Sequence, residues 1–307
     1  MKFDKILILT IILSGLGILG CAAAVTSSTV TSTVTSTVAA NAPDQTKLPI
    51  GDGKVGSSAK VGWVFSCQTR FPPAGGAFKD GPWIKSDGTF DFTAKAIVDG
   101  NVTWTSSQTF TLEGATKTVT GNGLPKHATG TYPVSPSDDA YRYDRNPNPI
   151  KTQTINYSLP VNPAVTATPT CLGLGPIGIT LTGAVFFNAL DANGKDAVAH
   201  ELQDACQGHP ERSGQYHYHN LTNCLSDSGT GTSSTGHSNL QGYVRDGFGL
   251  YGLRGEEGKM LTNADLDECH GHTHQILWNG KTVGLYHYHA THEYPYTIGC
   301  YRGKPVN

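Results

Sequence analysis

The feature that most limits what this chain can fold into is an internal duplication between residues 183 and 300. Gly183-Ala-Val-Phe-Phe-Asn, followed by Gly194-Lys195, corresponds to Gly247-Phe-Gly-Leu-Tyr-Gly, followed by Gly258-Lys259. Asp204-Ala-Cys-Gln-Gly-His209 corresponds to Asp267-Glu-Cys-His-Gly-His272, and Tyr216-His-Tyr-His219 to Tyr286-His-Tyr-His289. Matched blocks in the same order predict two like units packed about a pseudo-two-fold axis. Each reads as a strand, a turn, a short helix (196–204 and 263–267) and a hairpin led by a cysteine.

The second hairpin is the better defined. Asn279-Gly280 lies between two alternating runs, and both positions of such a turn need φ > 0. A two-residue loop there sets Trp278 opposite Lys281, His274 opposite Leu285, His272 opposite His287 and His270 opposite His289. Side chains alternate faces along a strand, so these imidazoles share one side of the ribbon, about 5 Å apart across it and roughly 7 Å along it. Tyr286 and Tyr288 point to the other side, and His274 is a spare ligand. In the first hairpin a loop at Arg212-Ser213-Gly214, with Gly in the left-handed position, sets His209 opposite His217 and Gln207 opposite His219.

The composition agrees with such short elements. The chain has 37 Gly and 17 Pro in 307 residues, with abundant Thr, Val and Tyr, which favours strands and turns over helices. We therefore expect a mostly β fold of antiparallel sheets or a sandwich, its C-terminal part duplicated, with few short helices. With 22 Lys+Arg against 24 Asp+Glu there is no basic field for nucleic acid.

Residues 1–20 read as a signal peptide: Lys2 and Lys5 precede an apolar run from Ile6 to Leu19 that is short for a membrane span. Ile18-Leu19-Gly20-Cys21 resembles a bacterial lipobox, which implies cleavage before Cys21, lipidation of its thiol and a membrane anchor. Cleavage after Ala22-Ala23-Ala24 is the alternative and gives a secreted protein. Both place the chain outside the cytoplasm, in the cell envelope (periplasm or outer membrane) or beyond. Residues 21–58 contain a Thr/Ser/Val repeat and are expected to be a disordered tether. Residues 59–182 form an N-terminal β part, with strands near 61–67, 89–93, 95–98, 102–105, 109–112 and 155–159 and a hairpin turn at Asp99-Gly100. Residues 183–307 are the duplicated part.

Without Cys21, six of the seven cysteines remain. An even number in an exported chain predicts disulfides, and spacing selects Cys206–Cys224, Cys269–Cys300 and Cys67–Cys171. No Cys-x-x-Cys pair occurs, which speaks against a zinc ribbon.

Neutral imidazole is the commonest metal ligand, and suits copper or zinc where Mg and Ca want oxygen. The candidate ligands are His209, His217, His219, His270, His272, His287 and His289. Both units keep an aspartate, Asp204 and Asp267, expected either to accept an imidazole N–H and fix its tautomer or to cap the strand entry. His200-Glu201-Leu-Gln-Asp204 resembles a zinc-peptidase helix with Asp in the place of the second His. The second unit lacks the pattern, so Glu201 is read as helix surface. The opposed reading makes the histidines a structural ladder, hydrogen-bonded to carbonyls and tyrosines.

The paired Tyr-His-Tyr-His motifs, the Asp-x-Cys-x-Gly-His ahead of each and Asp246-Gly-Phe-Gly-Leu-Tyr-Gly252 between them resemble the YHYH domain family, over roughly residues 60 to 303. That family is named for its motif and has no established activity, so the resemblance implies domain extent and not mechanism. Three functions stay open: a transition-metal binder of the envelope; a metal-dependent hydrolase or oxidase with Asp204, Asp267 or Glu268 as base; and a disulfide-stapled β module for a glycan or protein. No Gly-x-Ser-x-Gly, phosphate loop or dinucleotide fingerprint is present, so the sequence names no small-molecule substrate.

Overall fold

Ile179 pairs with Tyr243, its own counterpart in the duplication, and the arrangement of the protein follows from that pairing. In the computed structural model, residues 43–71, 75–225 and 236–306 are described. Residues 1–20, expected to be a signal peptide, Cys21 and the Thr/Ser/Val repeat lie outside the described residues. Four short strands come first: β1 (Leu48–Pro49), β2 (Val55–Gly56), β3 (Val64–Phe65) and β4 (Thr89–Phe90). β1 pairs with β4, and β2 runs parallel to β3. A three-stranded antiparallel sheet follows, made of β5 (Gln108–Glu113), β6 (Thr116–Gly121) and β7 (Ile155–Pro160). The duplicated part supplies the rest. The first unit has β8 (Pro176–Thr180), β9 (Val185–Phe187), the one-turn helix α1 (Ala197–His200), β10 (Gly208–Pro210) and β11 (Tyr216–Tyr218). The second has β12 (Leu240–Val244), β13 (Gly249–Tyr251), β14 (Gly271–Trp278) and β15 (Lys281–His289).

These eight strands form one sheet in the order β10-β11-β9-β8-β12-β13-β15-β14. Read outward from its centre, each half repeats the same steps: an antiparallel hairpin, a parallel pairing, then the cysteine-led hairpin. The expected pseudo-two-fold therefore lies between β8 and β12. The repeat begins at Pro176, one strand earlier than Gly183, where the sequence blocks become alike. Close approach is the reason for one shared feature. A Cβ on Gly178 would lie 2.7 Å from the Tyr243 carbonyl oxygen, and one on Gly242 2.2 Å from that of Ile179.

The sheet buries both faces, as a sandwich does. On one side Val119, Ile155 and Leu159 of the three-stranded sheet pack on Ile179 and Val185. On the other, Tyr216, Tyr218, Tyr286 and Tyr288 join the main core with Phe186, Leu250 and Trp83. Cys67–Cys171, Cys206–Cys224 and Cys269–Cys300 form the disulfides, in the pairing chosen from spacing.

Local expectations change in three places. The tether does not reach residue 58: Leu48 is buried, and the Gly51 N–H donates to Asp196 Oδ2 at 2.8 Å. The Asp99-Gly100 hairpin does not form, because Val98 bridges Asp204 and Val102 bridges Thr129 instead of each other. Both helices are shorter than expected. Asp196 caps α1 by accepting from the N–H groups of Val198 and Ala199, and the second is a single 3-10 turn at Asn263–Asp265.

If the pairing of β8 with β12 organises the sheet, Gly242→Ala must push two backbones apart. We expect a loss of about 1–3 kcal/mol, the usual size of an overpacking penalty, in chemical denaturation monitored by circular dichroism. Ala at Gly280, where nothing lies near the added Cβ, serves as the uncrowded comparison, costing only its strained φ.

Candidate metal centres

The Asn279-Gly280 turn sets the register that the sequence predicts: Trp278 pairs with Lys281, His274 with Leu285 and His272 with His287. In the first unit His209 pairs with His217, and Gly214 closes its loop at φ 86°. Alternation then sorts the Tyr-His-Tyr-His residues onto two faces. His217 pairs across to Val185 and Tyr218 to Phe186, so imidazoles lie on the side of the three-stranded sheet and phenols on the side of the main core.

Eight of the twelve histidines end in two clusters: His209, His217 and His219; and His237, His272, His274, His287 and His289. Five strand spacings separate β11 from β15, roughly 20–25 Å, so these are two sites and not one site on the axis. The first is sealed, with its imidazoles at most 4% exposed. The second buries His237, His287 and His289 and leaves His272 and His274 partly open.

Backbone carbonyls orient most of these rings. His217 Nδ1 is 3.0 Å from the Gln215 carbonyl and His287 Nδ1 is 2.9 Å from that of Leu285. The Nδ1 atoms of His219 and His289 reach the carbonyls of Asn188 and Gly252, which are matching positions in the two units. His237 and His274 use the carbonyls of Ser238 and Gln275. A carbonyl only accepts, so each Nδ1 carries the proton and each Nε2 presents a lone pair. Those lone pairs face one another. His217 and His219, His274 and His287, and His237 and His289 each bring two Nε2 atoms to 3.1 Å. Neither ring nitrogen of His209 has a hydrogen-bond partner, nor does His272 Nε2.

Facing lone pairs at that distance repel, and a cation between them would relieve the repulsion. One proton bridges only two nitrogens, whereas these clusters assemble three and five. Burial also opposes a proton: it pulls His217 and His272 down to about 4 and His287 to about 2, with neighbouring imidazoles adding to the effect on the latter two. His209, His219 and His289 lie well below the ordinary value for the same first reason. Two nitrogens bound tetrahedrally to one zinc at about 2.1 Å are about 3.4 Å apart, close to what these pairs show. Both clusters thus have the geometry to hold a metal ion. Aromatic rings back them: Phe187 stacks on His217 with centroids 3.8 Å apart, and its counterpart Tyr251 meets His287 edge-on at 4.9 Å.

Other expected site residues fall elsewhere. His270 is not in the cluster. It takes φ 75° in the turn before β14, as Gln207 takes φ 62° before β10, and this rotates the side chain off the ribbon. Its Nδ1 meets the carbonyls of His289 and Thr297, and its Nε2 meets Thr291 Oγ1. Asp204 and Asp267 accept no imidazole N–H. Asp204 Oδ1 accepts from the N–H groups of Cys206 and Gly208 and from the Tyr216 hydroxyl. Asp267 Oδ1 does the same with Cys269, Gly271 and Tyr286. These are the strand-entry caps of the alternative reading, and they sit on the tyrosine face, where they cannot act as bases for the clusters. Tyr218 is bonded to His127 and Tyr288 to Asp246.

Glu201 corrects the helix-surface reading. Its Oε2 lies 3.6 Å from Nε2 of both His209 and His219, with the side chain 13% exposed. His200, the first residue of the peptidase-like pattern, is held instead between Asp80 and Asp52 at 2.7 and 3.0 Å. His237 was not legible. It lies ahead of β12, outside both the Cys-led hairpins and the repeated blocks, and no periodicity marks it.

Fold and site together define a duplicated, disulfide-bonded β protein with an imidazole cluster in each half. A family model described as YHYH protein matches residues 156–260, within the part of the chain on which the resemblance to that family rests. The match includes β8 through β13 and the first Tyr-His-Tyr-His, and ends before the second, which the duplication supplies. No curated protein and no solved structure matches the chain.

Because these histidines have folded-state pKa values below the unfolded value of about 6.5, the unfolded chain binds more protons in acid. The contribution of these histidines to the stability of the metal-free protein is therefore full above pH 6.5 and falls as pH drops towards 4. Urea midpoints of metal-free protein at pH 7.5 and pH 5 test this. Equal midpoints would contradict the buried, neutral assignment.

Proposed function

We propose that this is an exported, lipid-anchored protein that binds a transition metal, copper or zinc, at its two histidine clusters. The observation that carries the reading is the set of Nε2 lone pairs converging at 3.1 Å while every opposing Nδ1 of those pairs is committed to a carbonyl. A structural ladder of histidines would turn these nitrogens towards donors. The ligand set is nitrogen-rich and borderline-soft, which favours copper and zinc over hard cations. The expected role is handling or sensing of the metal. A hydrolytic or oxidative reaction needs an open coordination position, and the partly open second cluster is where one fits. The lipobox-like Cys21 supports attachment to a membrane, and no feature of the sequence points to nucleic acid.

Elemental analysis of protein expressed through the periplasm, against the double variant His287→Ala/His289→Ala, tests the metal. The variant is expected to lose the ion of the second cluster and keep that of the first; unchanged stoichiometry refutes the site. Cys21→Ala is expected to move the protein from the membrane fraction to the soluble fraction. Retention in the membrane would rule out this anchor.

A further inference from the structure

We propose that the duplication has diverged into two chemically unlike metal sites: a sealed site of three histidines and one glutamate, completed by Glu201, and an all-imidazole site open to solution, so that the two ions exchange at different rates. This rests on the metal-binding reading above.

The case for Glu201 is geometric. It leaves the last turn of α1, where its N–H donates to the Ala197 carbonyl at 3.0 Å, and its carboxylate is brought against two of the three imidazoles. A ligand oxygen and nitrogen about 2.1 Å from one zinc in tetrahedral array would be about 3.4 Å apart, near the 3.6 Å observed. Three neutral imidazoles leave a divalent ion with its full charge in a site nearly closed to water, and uncompensated buried charge is costly. An anionic ligand halves that charge. Lys95 acts on Glu201 through space, but it donates its hydrogen bonds to the Val198 carbonyl and Gln203 Oε1 and leaves the carboxylate facing the imidazoles.

Among the described residues, no carboxylate of the second unit lies within 4 Å of an Nε2 of its cluster: Asp265 acts on His272 only through space and is engaged by Lys259 and Thr262. The position matching Glu201 lies in the 3-10 turn and is Ala264. Its glutamate neighbour, Glu256, is exposed and approaches only Nδ1 of His274, at 3.7 Å. In exchange, the second cluster has two further imidazoles, His237 and His274, and two of its five rings border solvent. An incoming chelator or acceptor can displace those rings one at a time, whereas the first site has only the edge of Glu201 to attack.

Protein loaded with zinc at both sites is mixed with excess 4-(2-pyridylazo)resorcinol and release is followed by absorbance. Two phases are expected. His272→Ala/His274→Ala should remove the fast phase and leave the slow one. Glu201→Gln, nearly isosteric, should speed the slow phase at least about tenfold, the effect that loss of even an outer partner commonly has. The fast phase of that variant reports that it has folded, and Glu201→Asp should restore part of the slow behaviour. Release of both ions in one phase, or a slow phase unmoved by Glu201→Gln, overturns the divergence while leaving metal binding intact. Wild-type protein that retains no zinc overturns both.

Discussion

Six of the eight clustered imidazoles are oriented by one kind of hydrogen bond: an imidazole Nδ1–H held by a backbone carbonyl. The acceptors are not arbitrary. Those for His217 and His287 lie two residues earlier in the chain, at Gln215 just ahead of β11 and at Leu285 in β15, and those for His219 and His289 lie just past the neighbouring parallel strand, at Asn188 and Gly252. Sheet geometry alone therefore fixes tautomer and ring direction, in the way that outer partners orient metal-binding histidines generally. The parallel pairing of β9 with β11, and of β13 with β15, is what brings the second of those carbonyls into reach. An antiparallel neighbour would offer a different pattern of carbonyls.

The same tetrapeptide also builds the scaffold. Because side chains alternate, each Tyr-His-Tyr-His divides its labour between two faces. The phenols reach the far side, where Tyr216 and Tyr286 tie down Asp204 and Asp267. Those aspartates in turn hold the tight turn after each cysteine, through N–H groups two and four residues on. The turn determines where β10 and β14 begin, and so where His209 and His272 stand. Buried polar groups of this kind are stabilising only when fully partnered, and here one carboxylate satisfies several donors at once.

How far this was legible in the sequence depends on the range of the interaction. Register at Asn279-Gly280 followed from turn chemistry and alternation, both local, and it placed His272, His274 and His287 correctly. The loop at Gly214 did the same for His209 and His217. His270 failed because alternation applies only within a strand, and its left-handed φ lies one residue outside. Glu201 failed because its partners come from β10 and the end of β11, and a pattern search along one helix cannot see them. His237 is brought in by the central pairing of β8 with β12, a long-range contact with no local signature. The mostly β fold and the disulfide pairing were readable from composition and spacing, whereas the start of the repeat at Pro176 was not. β8 and β12 share little beyond Gly178 and Gly242, the residues their close approach requires.

Duplication explains why two such sites can differ so much. Each half supplies its own hairpin, carbonyl acceptors and aspartate-held turn, so the half-site of histidines is inherited twice. What completes each half-site comes from outside the repeated blocks: Glu201 follows the short helix in one, and His237 precedes the sheet in the other. The ligands with the strictest geometric demands thus sit on the shared scaffold, and those that set charge and access sit on segments free to change. Charge then separates the outcomes. On the metal-binding reading proposed above, a carboxylate beside three sealed imidazoles would favour an ion that stays, because leaving would expose facing lone pairs and a buried carboxylate together. On the same reading, five imidazoles with no carboxylate against their Nε2 atoms, two of them partly open, would leave an ion its charge and leave solution a way in.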